Sequence, residues 1–271
     1  MKLSFSTLGC PDWQFDDIFS VAADLGYNGI EIRGIADEIY APKIKVFQPE
    51  NIEITKAKLK KANIELPILT PGAYITDNPN LHESELEIRD YIKLACKLEC
   101  KYIRVMGERT PNPIANITSA AVDNTLKHFQ TLCDFAQGYG TALLIETNGF
   151  FAKSEVLKDF LDRTERGNCG ALWDVHHSVR YFDETPATTI KTLGAYIRHT
   201  HIKDSVKGRN GVITYMLTGY GDIPVEEAVY ELNSAGYSGY YSYEWVKRWS
   251  RELAEPGVAF YQYLSYMRDL K

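Results

Sequence analysis

The chain has no disulfide framework. Its five cysteines, Cys10, Cys96, Cys100, Cys133 and Cys169, are odd in number and contain no Cys-x-x-Cys pair. That excludes a cystine scaffold and a zinc ribbon, and leaves reduced core thiols, with Cys96 and Cys100 four apart on a helix beside Leu94 and Leu98. No apolar run approaches the roughly 20 residues of a membrane span. No basic-then-apolar leader follows Met1-Lys2-Leu3-Ser4 either, so the expected location is the cytoplasm, away from membranes. There the sequon Asn116-Ile117-Thr118 carries no meaning. Basic runs are also missing, and a net charge of −6 argues against nucleic acid, whose binding draws mostly on phosphate neutralisation. No Pro/Ser-rich spacer, charge block or low-complexity stretch marks a boundary, so residues 1–271 read as one domain. No glycine-rich phosphate turn follows the first strand, which disfavours a doubly wound nucleotide-binding sheet.

What the chain does have is a regular alternation. Its 271 residues, 45% hydrophobic and 24% charged, are ordinary for a protein with a large core. Leu3 to Thr7 reads as a strand, Phe15 to Leu25 as a helix, Gly29 to Arg33 as a strand, Glu50 to Ala62 as a helix and Glu65 to Leu69 as a strand. A helix near Ser84 to Leu98, a strand at Tyr102 to Met106 and a helix from Ile117 to Tyr139 follow. Four further strands alternate with helices near Lys153 to Thr164, Thr185 to Leu193, Val225 to Ala235 and Pro256 to Leu270. Helix-stopping residues at Gly26, Asn63 and Gly236 fix the register. Eight strands alternating with about eight helices predict an α/β fold, a single (β/α)8 TIM barrel.

Four apolar strand runs end in a polar side chain: Glu146, Asp174, His201 and Glu244. Their spacings are 28 residues from 146 to 174, 27 from 174 to 201 and 43 from 201 to 244, each enough for a strand-helix repeat. Buried carboxylates need pairing or a cation, so one divalent metal bound by these four residues is expected. An oxygen-rich donor set suits Mn²⁺ first, with Mg²⁺, Co²⁺ or Zn²⁺ as alternatives. Two open coordination positions would chelate adjacent carbonyl and hydroxyl oxygens of a sugar and stabilise an enediolate. Glu146 and Glu244 would then be the catalytic pair, one removing the proton and the other returning it.

Several motifs occur in order: Leu25-Gly26-Tyr27-Asn28-Gly29-Ile30-Glu31, Leu144-Ile145-Glu146-Thr147-Asn148, Trp173-Asp174-Val175-His176-His177, His199-Thr200-His201-Ile202-Lys203-Asp204, Gly219-Tyr220-Gly221-Asp222-Ile223-Pro224 and Tyr243-Glu244. Together they make the chain resemble the xylose-isomerase-like TIM-barrel superfamily, which includes keto-sugar 3-epimerases, hydroxypyruvate isomerases, inosose dehydratases and abasic-site endonucleases. The resemblance implies that Glu146, Asp174, His201 and Glu244 are the metal ligands and that His177 contacts substrate. Lys207 falls where the epimerase branch carries an arginine, keeping the charge but losing the planar fork. The glutamate that ketose epimerases often carry shortly after the first ligand is absent, with Gly149-Phe150-Phe151-Ala152 in its place.

Other residues extend the site. Trp13, in the loop after the first strand, would form a pocket wall. Lys203 shares a strand face with His201 and either contacts substrate or pairs with an acid, while His199 lies deeper on the same face. His176 reads as a packing residue, and His82 and His128 as surface residues. Arg33, Arg104 and Glu108 end strands, as substrate contacts or ion-pair members, and Gly219-Tyr220-Gly221 has room for a phosphate nest.

The expected function is a metal-dependent isomerase or epimerase of a small keto sugar or polyol derivative, a role in carbohydrate metabolism. An inosose-type dehydratase is the near alternative. An abasic-site phosphodiesterase would need histidines where Arg33-Gly34 and Thr70-Pro71-Gly72 stand, and a barrel that kept its ligands but lost turnover is the third class. A small-molecule sugar is the expected partner, and homodimer and homotetramer remain open.

Overall fold

A computed structural model describes residues 1–76, 78–113 and 117–270. Asn116 of the sequon lies outside the described residues. In chain order the elements are β1 (Lys2–Ser6), α1 (Phe15–Leu25), β2 (Gly29–Glu31), α2 (Ile52–Lys61), β3 (Ile68–Leu69), α3 (Leu81–Leu98), β4 (Tyr102–Val105), α4 (Ser119–Gln137), β5 (Ala142–Glu146) and α5 (Ser154–Thr164). Then come β6 (Cys169–Asp174), α6 (Val175–Phe182), α7 (Pro186–Leu193), β7 (Ile197–Ile202), β8 (Asp204–Lys207), β9 (Ile213–Met216), α8 (Val225–Ser234), β10 (Tyr240–Tyr243) and α9 (Pro256–Asp269). The chain divides into two compact units, a terminal unit of Met1–Pro67 with Thr200–Lys271 and a central unit of Ile68–His199.

In the terminal unit the strands run β2-β1-β10-β7, all parallel. Phe5, Ile30, Tyr243 and Ile202 fall in one register row on one face, and behind them Phe5 stacks on Phe260 with centroids 4.1 Å apart. Tyr243 stacks on Tyr263 at 4.5 Å. The opposite face carries small and polar side chains: Gly29, Ser4, Ser242 and His201 form one row, with Ser6 and Glu31 above it. In the central unit the order is β6-β5-β4-β3, also parallel. One face there begins with an apolar layer of Ile68, Leu144 and Leu172, with Tyr102 against it.

The helix signals hold at their ends. In α1, Gln14 and Asp17 form a reciprocal cap and Gly26 closes the helix at φ 76°, a left-handed conformation that a side chain disfavours. Asn63 and Gly236 also have positive φ after α2 and α8. Strand ends are shorter than expected. Pro67 has no N–H to give a ladder, so β3 keeps only Ile68–Leu69, while Glu65 bridges Gly29. Beyond Glu31 the Arg33 amide donates to Thr7 Oγ1 at 2.9 Å instead of to a neighbouring strand.

The thiols correct one expectation. Cys96 is exposed on α3, and Cys100 lies past the helix end, behind Glu99 in a left-handed cap; Cys10, Cys100, Cys133 and Cys169 are buried. A helix face is only partly covered, so apolar character at positions 94 and 98 does not carry over to 96.

Candidate active site and metal centre

In the central unit strand alternation places Arg104, Glu146 and Asp174 on the face that holds Leu144 and Leu172 lower down. The apolar layer ends where the charges begin. Glu146 is 2% exposed and Asp174 fully buried. Arg104 Nη1 donates to Glu146 Oε2 at 3.0 Å, and its Nη2 donates to the carbonyls of Pro71 at 2.7 Å and Thr70 at 3.4 Å. A planar guanidinium thus clamps one oxygen of Glu146 to the end of β3. Of the two readings left open for Arg104, the ion pair is the one formed.

Asp174 ends β6 and simultaneously caps α6, accepting the His177 amide at 3.2 Å. The helix therefore starts directly at the strand end and turns His177 back over it. His177 Nδ1 lies 3.0 Å from the Thr147 carbonyl, 3.3 Å from Asp174 Oδ2 and 3.6 Å from Glu146 Oε1. A carbonyl only accepts, so Nδ1 carries a proton. Asp174, His176 and His177 each bring a ligand-type atom within 4.8 Å of the others.

In the terminal unit His201 is fully buried on β7, with Nδ1 3.3 Å from Glu244 Oε1 and Nε2 3.0 Å from Glu31 Oε2. Lys203, 2% exposed, donates in a short contact to Glu244 Oε2, so it is engaged with an acid. Glu31 is fully buried and also accepts from Ser242 Oγ at 2.9 Å. Sequence reasoning passed over Glu31, although a carboxylate between Ile30 and Ile32 is itself a signal of a charged side chain turned inward. Carboxylate and imidazole clusters of these kinds could hold a metal ion.

The remaining candidates are more dispersed. Trp13 is half-buried, edge-on to Phe260 at 5.8 Å. Lys207 is exposed at the end of β8, paired with Ile213 across the β8–β9 hairpin. Arg33 lies over the exposed Trp249 ring at 5.7 Å. Glu108, fully buried, accepts the Phe150 amide at 2.6 Å and leaves no room for a side chain at Gly149, where an added Cβ would fall 1.7 Å from its carboxylate. His199 and His176 are buried, His82 is exposed, and half-buried His128 meets Glu85 at 2.6 Å.

The phosphate-nest expectation is corrected. The amides of Gly219, Gly221 and Ile223 donate to the Asp204 carboxylate at 2.9, 2.9 and 3.1 Å. The nest binds an anion, but that anion is the chain's own side chain.

Parallel strand-helix repeats with carboxylates and histidines at the carboxyl ends of their strands define a barrel-type enzyme scaffold. Residues 19–264 match the family model for xylose isomerase-like TIM barrels, and the chain belongs to that family. Its fold class is accordingly the (β/α)8 barrel expected from the sequence. Fructoselysine 3-epimerase from Shigella flexneri is 25% identical over 277 residues, covering 93% of this chain and 92% of that protein. The enzyme of the same name from Escherichia coli O157:H7 is also 25% identical, with 93% of each chain covered. Among solved structures, the IolI protein with a bound zinc atom superposes with a TM-score of 0.82 at 17% identity, over 100% of this chain and 98% of that one. D-psicose 3-epimerase from Clostridium cellulolyticum H10, solved with D-tagatose, gives 0.76 at 17%, with 100% and 98% covered. These structural likenesses establish the fold. Among the described residues no helix is long and apolar enough to cross a membrane.

Proposed function

We propose that the chain is a divalent-metal-dependent sugar isomerase or epimerase acting on a small keto sugar or polyol derivative, with Glu146, Asp174, His201 and Glu244 as metal ligands. Family membership and the two fructoselysine 3-epimerase relatives support the reaction class. The observation that carries the reading is a repeated device: each unit holds a strand-end glutamate with one oxygen on a buried cation and the other beside a histidine Nδ1. Three carboxylates and one imidazole fit Mn²⁺ best, with Mg²⁺, Co²⁺ and Zn²⁺ able to replace it. When bound, such an ion supplies Lewis-acid polarisation of a carbonyl and stabilises developing enediolate charge.

The chain's own groups move the proton. Arg104 and Lys203 each hold one oxygen of a glutamate and so fix the position of its carboxylate. Glu146 and Glu244 exchange the proton at the carbon next to the carbonyl, one removing it and one returning it. His177, with its proton committed to the Thr147 carbonyl, offers Nε2 to a substrate hydroxyl. Trp13 supplies an aromatic wall. Lys207, exposed on the hairpin, supplies a cation at the pocket rim.

Protein purified without chelator and supplied with Mn²⁺ should bind one ion per chain and wash deuterium from D₂O into a ketose beside its carbonyl. A panel of ketoses and inososes reads out the class. Loss of water from an inosose would reassign the chain as a dehydratase, and efficient incision of abasic DNA as a phosphodiesterase. No isotope uptake from any member by the metal-loaded protein would sink the proton-transfer reading.

A further inference from the structure

We infer that Glu31 is a positioning residue that sets the tautomer of His201, directing Nδ1 to the metal and keeping the ring proton on Nε2. The inference rests on the reading of His201 as a metal ligand. Glu31 and His201 sit on β2 and β7, three strands apart in the order β2-β1-β10-β7. On a flat sheet that separation is about 14 Å at the usual strand spacing of about 4.8 Å. Side chains meeting at 3.0 Å therefore require the four strands to curl toward this face. The intervening positions in the lateral row are Ser4 and Ser242, small enough to leave the space open. A leucine at either would stand between the carboxylate and the ring.

The proton assignment follows from what each partner can do. An ionised carboxylate only accepts, and Glu31 Oε2 receives both Ser242 Oγ at 2.9 Å and His201 Nε2 at 3.0 Å. Glu31, His201 and Ser242 are all fully buried. A ring protonated on Nδ1 instead would place two lone pairs face to face away from water, where a lost hydrogen bond is expensive. With the proton on Nε2, the Nδ1 lone pair points toward Glu244 Oε1, 3.3 Å away. Two acceptor atoms at that distance would be reconciled by a cation that His201 and Glu244 hold together. Ligating histidines commonly have their second nitrogen oriented by a carboxylate in this way, and removing such a support typically costs about 10- to 100-fold in metal affinity.

The test uses the full chain labelled with ¹⁵N-histidine and loaded with ¹¹³Cd²⁺ as a diamagnetic probe. One of the six histidines should show one-bond ¹¹³Cd–¹⁵N coupling at Nδ1 and a protonated, slowly exchanging Nε2, and both signals should vanish in His201→Gln. In Glu31→Gln the Nε2 proton should exchange faster, and Cd²⁺ affinity, measured by chelator competition, should fall about 10- to 100-fold. Ser242→Ala, which retains the carboxylate, should keep the tautomer. Cadmium coupled to His201 through Nε2, or unchanged affinity and exchange in Glu31→Gln, overturns the role of Glu31 while leaving His201 a ligand. Absence of coupling to any histidine in the wild-type protein overturns the ligand reading and this inference together. Should Glu31→Gln fail to fold, the wild-type couplings alone decide, because they name the ligating nitrogen and the protonated one.

Discussion

The two units hold equivalent glutamates by different means. In the central unit Glu146 stands above an apolar layer of Ile68, Leu144 and Leu172, and one guanidinium ties it to two main-chain carbonyls. In the terminal unit Glu244 belongs to a polar face of Ser4, Ser6, Ser242, Glu31 and His201, with the ammonium of Lys203 on one oxygen. Arginine gives a fixed planar fork with permanent charge, while lysine gives a point charge on a flexible stem. The central glutamate is thus anchored to the backbone, and the terminal one to other side chains. Anchoring to backbone favours rigidity; in a side-chain network each hydrogen bond polarises its neighbours, so the loss of one group is felt by the others.

The largest test of this comparison neutralises each glutamate in turn. Glu146→Gln and Glu244→Gln, each with metal occupancy measured, should lose about 10²- to 10⁴-fold in turnover if both act as bases. Full activity in metal-loaded Glu244→Gln would make the terminal glutamate a ligand only and leave Glu146 as the single base.

Stability should separate the two anchors next. Removing one partner of a buried ion pair costs about 3–5 kcal/mol. Arg104→Met also strips two carbonyls of their donor, at about 1 kcal/mol each, so its denaturant midpoint should fall further than that of Lys203→Met. Equal shifts would show that the backbone contacts of Arg104 contribute nothing.

Alkali should act mainly on the terminal unit. Burial raises the phenols of Tyr27, Tyr240, Tyr243 and Tyr263, and pushes Tyr241 up to about 12 from the ordinary value of 10.0. Folded protein holds these protons after the unfolded chain has released them. The stability they contribute is therefore complete below pH 10 and is lost as pH rises above it, through about 12 for Tyr241. Tyrosinate absorbance from these residues should appear only together with loss of circular dichroism, and Tyr241→Phe should withstand higher pH. Full tyrosine ionisation at pH 11 with a native spectrum would contradict the burial argument. The smallest effect concerns Cys96, the exposed thiol: alkylation should label it far faster than the four buried ones, and Cys96→Ala should change stability by under about 0.5 kcal/mol.

What was legible in the chain follows from periodicity and end signals. The alternation of strand and helix, the caps at Gly26, Asn63 and Gly236, and charge at the ends of apolar runs are all local, and a linear reading finds them. Helix α6 escaped because its cap, Asp174, is also the last residue of β6, so no separate start signal exists. The Gly219 and Gly221 amides, beyond the end of β9, looked vacant until the fold brought Asp204 to them from 15 and 17 residues away.

By itself, then, the sequence determined the repeat, the family and which strands end in ligand-type side chains, because side-chain alternation and capping act over a few residues. The tertiary structure alone decided which groups each one meets. Glu31 and His201 are 170 residues apart and touch only because strands with serine between them curl toward one face. Arg104 finds Glu146 only because β4 and β5 pair Arg104 with Leu144. Register and curvature are properties of several strands together, and the hydrogen bonds that set a histidine's tautomer or hold a carboxylate oxygen exist only once those strands are in place.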